Sequence, residues 1–141
     1  MNKIMKPEEK LEIHEVIYKA AHGYDAHNVE MLTACFAEES VMTIRVGGGD
    51  LIGPYDGQEA VLNFMKRAMK RQTDKRLHQI SNIFFEEEGE EVAVALSSLT
   101  LFSTDNETCR LLSTGIYRDE VVKVNGSWKI SRRHLDIELP V

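Results

Sequence analysis

From Arg76 to Leu139 the chain reads as one strand after another, interrupted only where the residues favour a turn. β-Branched and aromatic residues and apolar/polar alternation run through residues 77–86, 92–103, 109–124 and 127–139. Between these runs stand Glu88-Gly89-Glu90, Thr104-Asp105-Asn106-Glu107 and Asn125-Gly126, which suit tight reversals. Connections that short join only antiparallel neighbours. Such a sheet needs a cover for its apolar face, and the front of the chain supplies it.

Pro7 followed by Glu8 and Glu9 suits a helix start, where proline forfeits no hydrogen bond and carboxylates meet the positive end of the dipole. Leu11, Ile13, Val16, Ile17, Ala20, Ala21 and Tyr24 then recur at helical spacing. Asn28 is placed to cap a second, short helix over residues 29–37. Residues 41–46 form a β-rich run that Gly47-Gly48-Gly49-Asp50 reverses into Leu51-Ile52, and residues 53–57 read as a loop. Ala60, Val61, Phe64, Met65, Ala68 and Met69 make a third helical stripe, which ends in a basic run to Arg76. Helices grouped before strands predict an α+β fold, with helices packed on a strongly curved, mostly antiparallel sheet around an apolar hollow.

With 141 residues the chain is the size of one domain, expected to span 1–141. Its 17 basic and 23 acidic residues leave a formal charge of −6, which argues against nucleic acid or an anionic membrane as partner. Two cysteines without CxxC spacing, and no apolar leader or spanning run, predict a cytoplasmic protein with reduced thiols. The five histidines include no HExxH pair, so no metal is expected, and no phosphate-cradling or GxSxG motif is present.

Three features point to chemistry. Tyr24-Asp25 closes the apolar face of the first helix, which puts Asp25 at the rim of the core. Alternation along residues 76–84 places His78, Ile80, Asn82 and Phe84 on one face, directed into the hollow. In the last strand Arg132 and Arg133 must face opposite ways, beyond the Asn125-Gly126 turn and an anchoring Trp128.

Together with Gly53-Pro54-Tyr55-Asp56-Gly57, Leu77-His78-Gln79-Ile80-Ser81-Asn82 and Gly115-Ile116-Tyr117-Arg118-Asp119, these features resemble the SnoaL-like branch of the nuclear-transport-factor-2-like superfamily. The resemblance implies a cone-shaped, cystatin-like α+β barrel with a deep apolar pocket, in a homodimer or homotrimer. Scytalone dehydratase, bile-acid dehydratase and hexachlorocyclohexane dehydrochlorinase are similar members, which eliminate water or HCl with a histidine facing an aspartate. Asp25 and His78 fall on those positions, Arg133 on an arginine of the dehydrochlorinase and Tyr24 on a pocket tyrosine of scytalone dehydratase. The dehydrochlorinase lysine is replaced by Ala20, and the next strand offers only Ser97, Ser98 and Thr100 where the dehydratases add another titratable group.

The implied activity is that of a cofactor-independent lyase of the dehydratase type, acting on a small hydrophobic cyclic substrate. Asp25 would fix the tautomer of His78, the general base, and Tyr24 or Arg133 would stabilise the charge that develops. Phe64, Ile80, Asn82, Phe84 and Tyr117 are the expected substrate contacts. A steroid-isomerase or polyketide-cyclase activity, and a non-catalytic ligand-binding or structural subunit, are the alternatives.

Overall fold

The computed structural model describes residues 4–141. In chain order it forms α1 (Pro7–Asp25), α2 (Val29–Ala34), β1 (Phe36–Val46), β2 (Ile52–Asp56), α3 (Gln58–Arg71), β3 (Lys75–Glu87), β4 (Val92–Asp105), β5 (Thr108–Val124) and β6 (Ser127–Ile137). The strands make one sheet in the order β2-β1-β6-β5-β4-β3, antiparallel throughout except where β1 runs parallel to β6. This is the α+β, cystatin-like arrangement expected from the sequence. The sheet does not close on itself: β2 and β3 remain free edges, and helices span the gap that a barrel would seal with hydrogen bonds.

Local chemistry explains where the elements begin and end. Asn28 Oδ1 accepts the Met31 N–H at 3.1 Å and caps α2. Gly23 lets α2 approach α1, because a Cβ there would stand 3.1 Å from the Leu32 amide nitrogen. α2 stops at Ala34, earlier than expected, and β1 starts at Phe36. The sheet overrides helix propensity here: the Ile130 N–H donates to the Cys35 carbonyl at 2.8 Å, and Phe36 pairs with Ile130. The expected loop 53–57 is largely strand β2, since Tyr55 pairs with Met42 and packs its ring 4.4 Å from that of Phe64.

The core lies between α1 and α3 on one side and the inner sheet face on the other, with Ile13, Ile17, Val61 and Met65 against Leu99, Leu101, Val121 and Ile130. Each such side chain contributes about 1.5–3 kcal/mol when fully buried. At one end Trp128 is buried, and its indole N–H donates to Glu9, which also accepts from Lys123 at 2.7 Å. These bonds fasten the β5–β6 hairpin to the start of α1. The C-terminal end of α1 has no such plug, and the cavity lies there.

One irregularity redirects side chains. Asn82 takes φ 53°, and the β3–β4 register slips between Ser81 and Phe84. An extra residue in a strand reverses which face its successors occupy. Ile83 and Phe85 therefore turn to the core, while Phe84 is 57% exposed. Asn82 and Phe84, expected on the pocket face, lie outside it. No helix among the described residues is long and apolar enough to cross a membrane.

Candidate active site

Helices and sheet enclose a cavity of about 530 Å³, within the usual range for small-molecule sites. Of the residues singled out by sequence, Tyr24, Phe64, His78, Tyr117 and Arg133 line it. Asp25 stands behind His78. Ile80 packs against the core but is not part of the cavity wall.

Asp25 is the last residue of α1, and His78 is the fourth of β3. The His78 Nδ1 lies 2.6 Å from Asp25 Oδ1, and the His78 backbone N–H donates to Oδ2 at 2.8 Å. Both side chains are nearly buried. An ionised carboxylate only accepts hydrogen bonds, so a neutral His78 carries its proton on Nδ1 and keeps Nε2 as an acceptor.

Tyr24 meets His78 edge to face, with ring centroids 4.7 Å apart. Its oxygen accepts from Gln72 Nε2 at 2.7 Å, which leaves the phenolic hydrogen free to donate elsewhere. Burial pushes the Tyr24 hydroxyl above its ordinary pKa, opposed by the Gln72 bond and by the charges of Arg76 and Arg71. Tyr24 is thus a neutral donor at physiological pH.

Arg133 is committed to a partner that sequence reasoning missed. Its Nε and Nη2 donate to the two oxygens of Asp119, at 2.7 and 3.0 Å, and Asp119 is fully buried. The guanidinium also lies 4.1 Å above the Tyr117 ring. Burial works against the Arg133 charge, but Asp119 outweighs it and holds the group well above the usual arginine range. Burial pushes the Tyr117 phenol up to about 12, against the pull of Arg133. Further polar cavity residues were not singled out by sequence, Arg71, Gln72, Asp74 and Arg76 among them. Asp74 Oδ2 accepts from Arg76 Nε at 2.7 Å and from Ser103, and those two donors, Ser103 above all, hold its carboxyl below the usual range. Gln72 Oε1 is buried without a partner among the described residues.

Ser97 points inward with its hydroxyl unpaired among the described residues, whereas Ser98 and Thr100 face the other side of the sheet with Ser81 and Asn82. No group of three His, Cys, Asp or Glu side chains among the described residues could hold a metal ion.

Solved structures share this fold at low sequence identity. A protein of unknown function with a cystatin-like fold from Nostoc punctiforme superposes with a TM-score of 0.82 at 21% identity, covering 98% of each chain. An NTF2-like protein with a cystatin-like fold from Novosphingobium aromaticivorans gives 0.73 at 21%, covering 92% of this chain and 82% of that one. The beta subunit of a candidate aromatic-ring-hydroxylating dioxygenase, also from Novosphingobium aromaticivorans, gives 0.78 at 14%, covering 92% and 89%. No curated protein matches the chain. The family model of the SnoaL-like domain matches residues 6–134, nearly the full length, and the chain belongs to that family.

Proposed function

We propose that this chain is a cofactor-independent lyase of the dehydratase type, acting on a small hydrophobic ring compound with His78 and Asp25 as its proton-transfer pair. The observation that carries this reading is the doubly bonded carboxylate behind His78, at the wall of an apolar cavity. His78 Nε2 takes a proton from an acidic C–H beside a ring carbonyl, and the electron pair left behind forms the C=C bond. The C–O bond to the neighbouring hydroxyl breaks, and the hydroxyl leaves as water with the proton returned by the imidazolium. Tyr24 donates its hydrogen bond to the developing oxyanion. Arg133 presents Nη1, which has no hydrogen-bond partner among the described residues, since Asp119 occupies Nε and Nη2. Base catalysis of this kind contributes about 10²–10⁴-fold, enough for an activated C–H.

The commitment of Arg133 to Asp119, and of Asp74 to Arg76 and Ser103, favours one second reading, a ligand-binding member without turnover. Incubating the protein with hydroxylated and halogenated cyclic ketones separates the two. Release of water or halide that disappears in His78→Ala supports the lyase; binding without turnover supports the carrier.

Self-association as a homodimer or homotrimer belongs to the same proposal. It is supported by the exposed apolar side chains Leu77, Phe84 and Ile116 on the outer sheet face, and by the similar fold of a dioxygenase beta subunit. A single domain over 1–141 and a cytoplasmic location complete it, the latter supported by Cys35 and Cys109, both free thiols.

A further inference from the structure

The chain is acidic overall, with 23 carboxylates to 17 basic residues, yet three arginines line its cavity against a single aspartate. Two of the three are partly committed. Arg133 gives Nε and Nη2 to Asp119, and Arg76 gives Nε to Asp74. Arg71 has no hydrogen bond or ion pair to any described residue, and it stands exposed at the end of α3 where the wall meets solvent. The terminal nitrogens of Arg76 are likewise without a protein acceptor among the described residues. Both guanidinium groups thus border one cavity with donors to spare, while Phe64, Met65, Leu99 and Leu135 make its body apolar.

We infer that the ligand of this cavity is an amphipathic ring carboxylate, its ring among the apolar side chains and its carboxylate held at the rim by Arg71 with help from Arg76. This deepens the proposed function and rests on it for the site, though not for the chemistry. Guanidinium groups pair with carboxylates through two parallel charged hydrogen bonds, and a rim of positive potential raises the local concentration of anions. The two charges already act on the Tyr24 hydroxyl, which places them within electrostatic reach of the group beside His78. An ionised carboxylate does not acidify the C–H beside it, so it serves as a handle, and the activating carbonyl is a separate group of the ring.

Calorimetric titration of the whole protein with 2-naphthoate and with its neutral isostere 2-naphthamide tests the inference. The acid should bind about tenfold or more tightly than the amide at low salt, and the preference should shrink as salt rises. Arg71→Gln should remove most of the preference and leave amide binding unchanged; His78→Ala should keep the preference. Equal affinities, a preference untouched by Arg71→Gln, or no binding of either probe would overturn the inference. Turnover of neutral cyclic ketones, lost in His78→Ala, is read separately and bears only on the dehydratase proposal.

Discussion

Asp25 holds His78 at two points, accepting the ring Nδ1–H on one carboxylate oxygen and the backbone N–H of the same residue on the other. The bond to the backbone fixes the carboxylate, and the carboxylate fixes the ring. A base oriented by a fixed acceptor loses little entropy on reaction, and that is the benefit of a preorganised pair.

The first expected outcome concerns the tautomer. In a long-range ¹H–¹⁵N spectrum of the neutral imidazole, His78 should show a protonated Nδ1 and a bare Nε2. Asp25→Asn offers one acceptor and one donor where two acceptors stood: its oxygen can keep the backbone N–H while its amide donates to Nδ1, which moves the ring proton to Nε2 and removes the base. Any elimination activity should fall by about 10²-fold or more. A wild-type His78 protonated on Nε2 would remove the basis for its role as base.

The pattern of helices before an antiparallel sheet was legible because its signals are local: helical stripes, alternation and turn residues. Asp25 and His78 were legible through the resemblance and through their place at an element's end and on an inward face. What escaped depends on irregularities of one residue. An unbroken β5–β6 hairpin about Asn125-Gly126 would set Asp119 opposite Arg132; a slip between Glu120 and Val121 sets it opposite Arg133 instead, and the buried pair follows. Gln72 and Asp74 lie in the connection between α3 and β3, where no periodicity tells which side chains return to the cavity.

That pair makes a stability prediction. Asp119→Ala leaves the Arg133 guanidinium buried and uncompensated, and should cost about 3–5 kcal/mol in denaturant unfolding. Replacing both partners, Asp119→Leu with Arg133→Met, should recover most of the loss, because the desolvation cost disappears together with the attraction. If Asp119→Ala unfolds at the wild-type midpoint, the pair is not a buried unit.

Tyr117 sets the alkaline limit. Its folded pKa of about 12 exceeds the ordinary tyrosine value near 10, chiefly because it is buried. Between those values the unfolded chain gives up a proton that the folded chain keeps, so stability should fall as pH rises from 10 to 12. The loss amounts to about 2–3 kcal/mol at its full extent. Tyr117→Phe should unfold with a shallower decline across pH 10–12, and a parallel decline in both proteins would contradict this assignment.

The bulge at Asn82 decides which aromatic ring faces the helices, and it can be tested by backbone chemistry alone. At φ 53° glycine fits without strain and asparagine is tolerated, whereas a β-branched residue is disfavoured by crowding at Cβ. Asn82→Gly should therefore fold with near wild-type stability, and Asn82→Val should lose about 1–3 kcal/mol. The valine also has a way to relieve its strain. If β3 slides straight, the residues after position 82 change faces, which exposes Phe85 and turns Phe84 inward. Phe85 stacks on His14 with ring centroids 5.9 Å apart and lies under Lys10. Ring-current shifts on His14 therefore report the register directly. They should persist in Asn82→Gly and weaken in Asn82→Val; identical shifts and stability in both variants would mean that the bulge is held by other residues of β3 and β4.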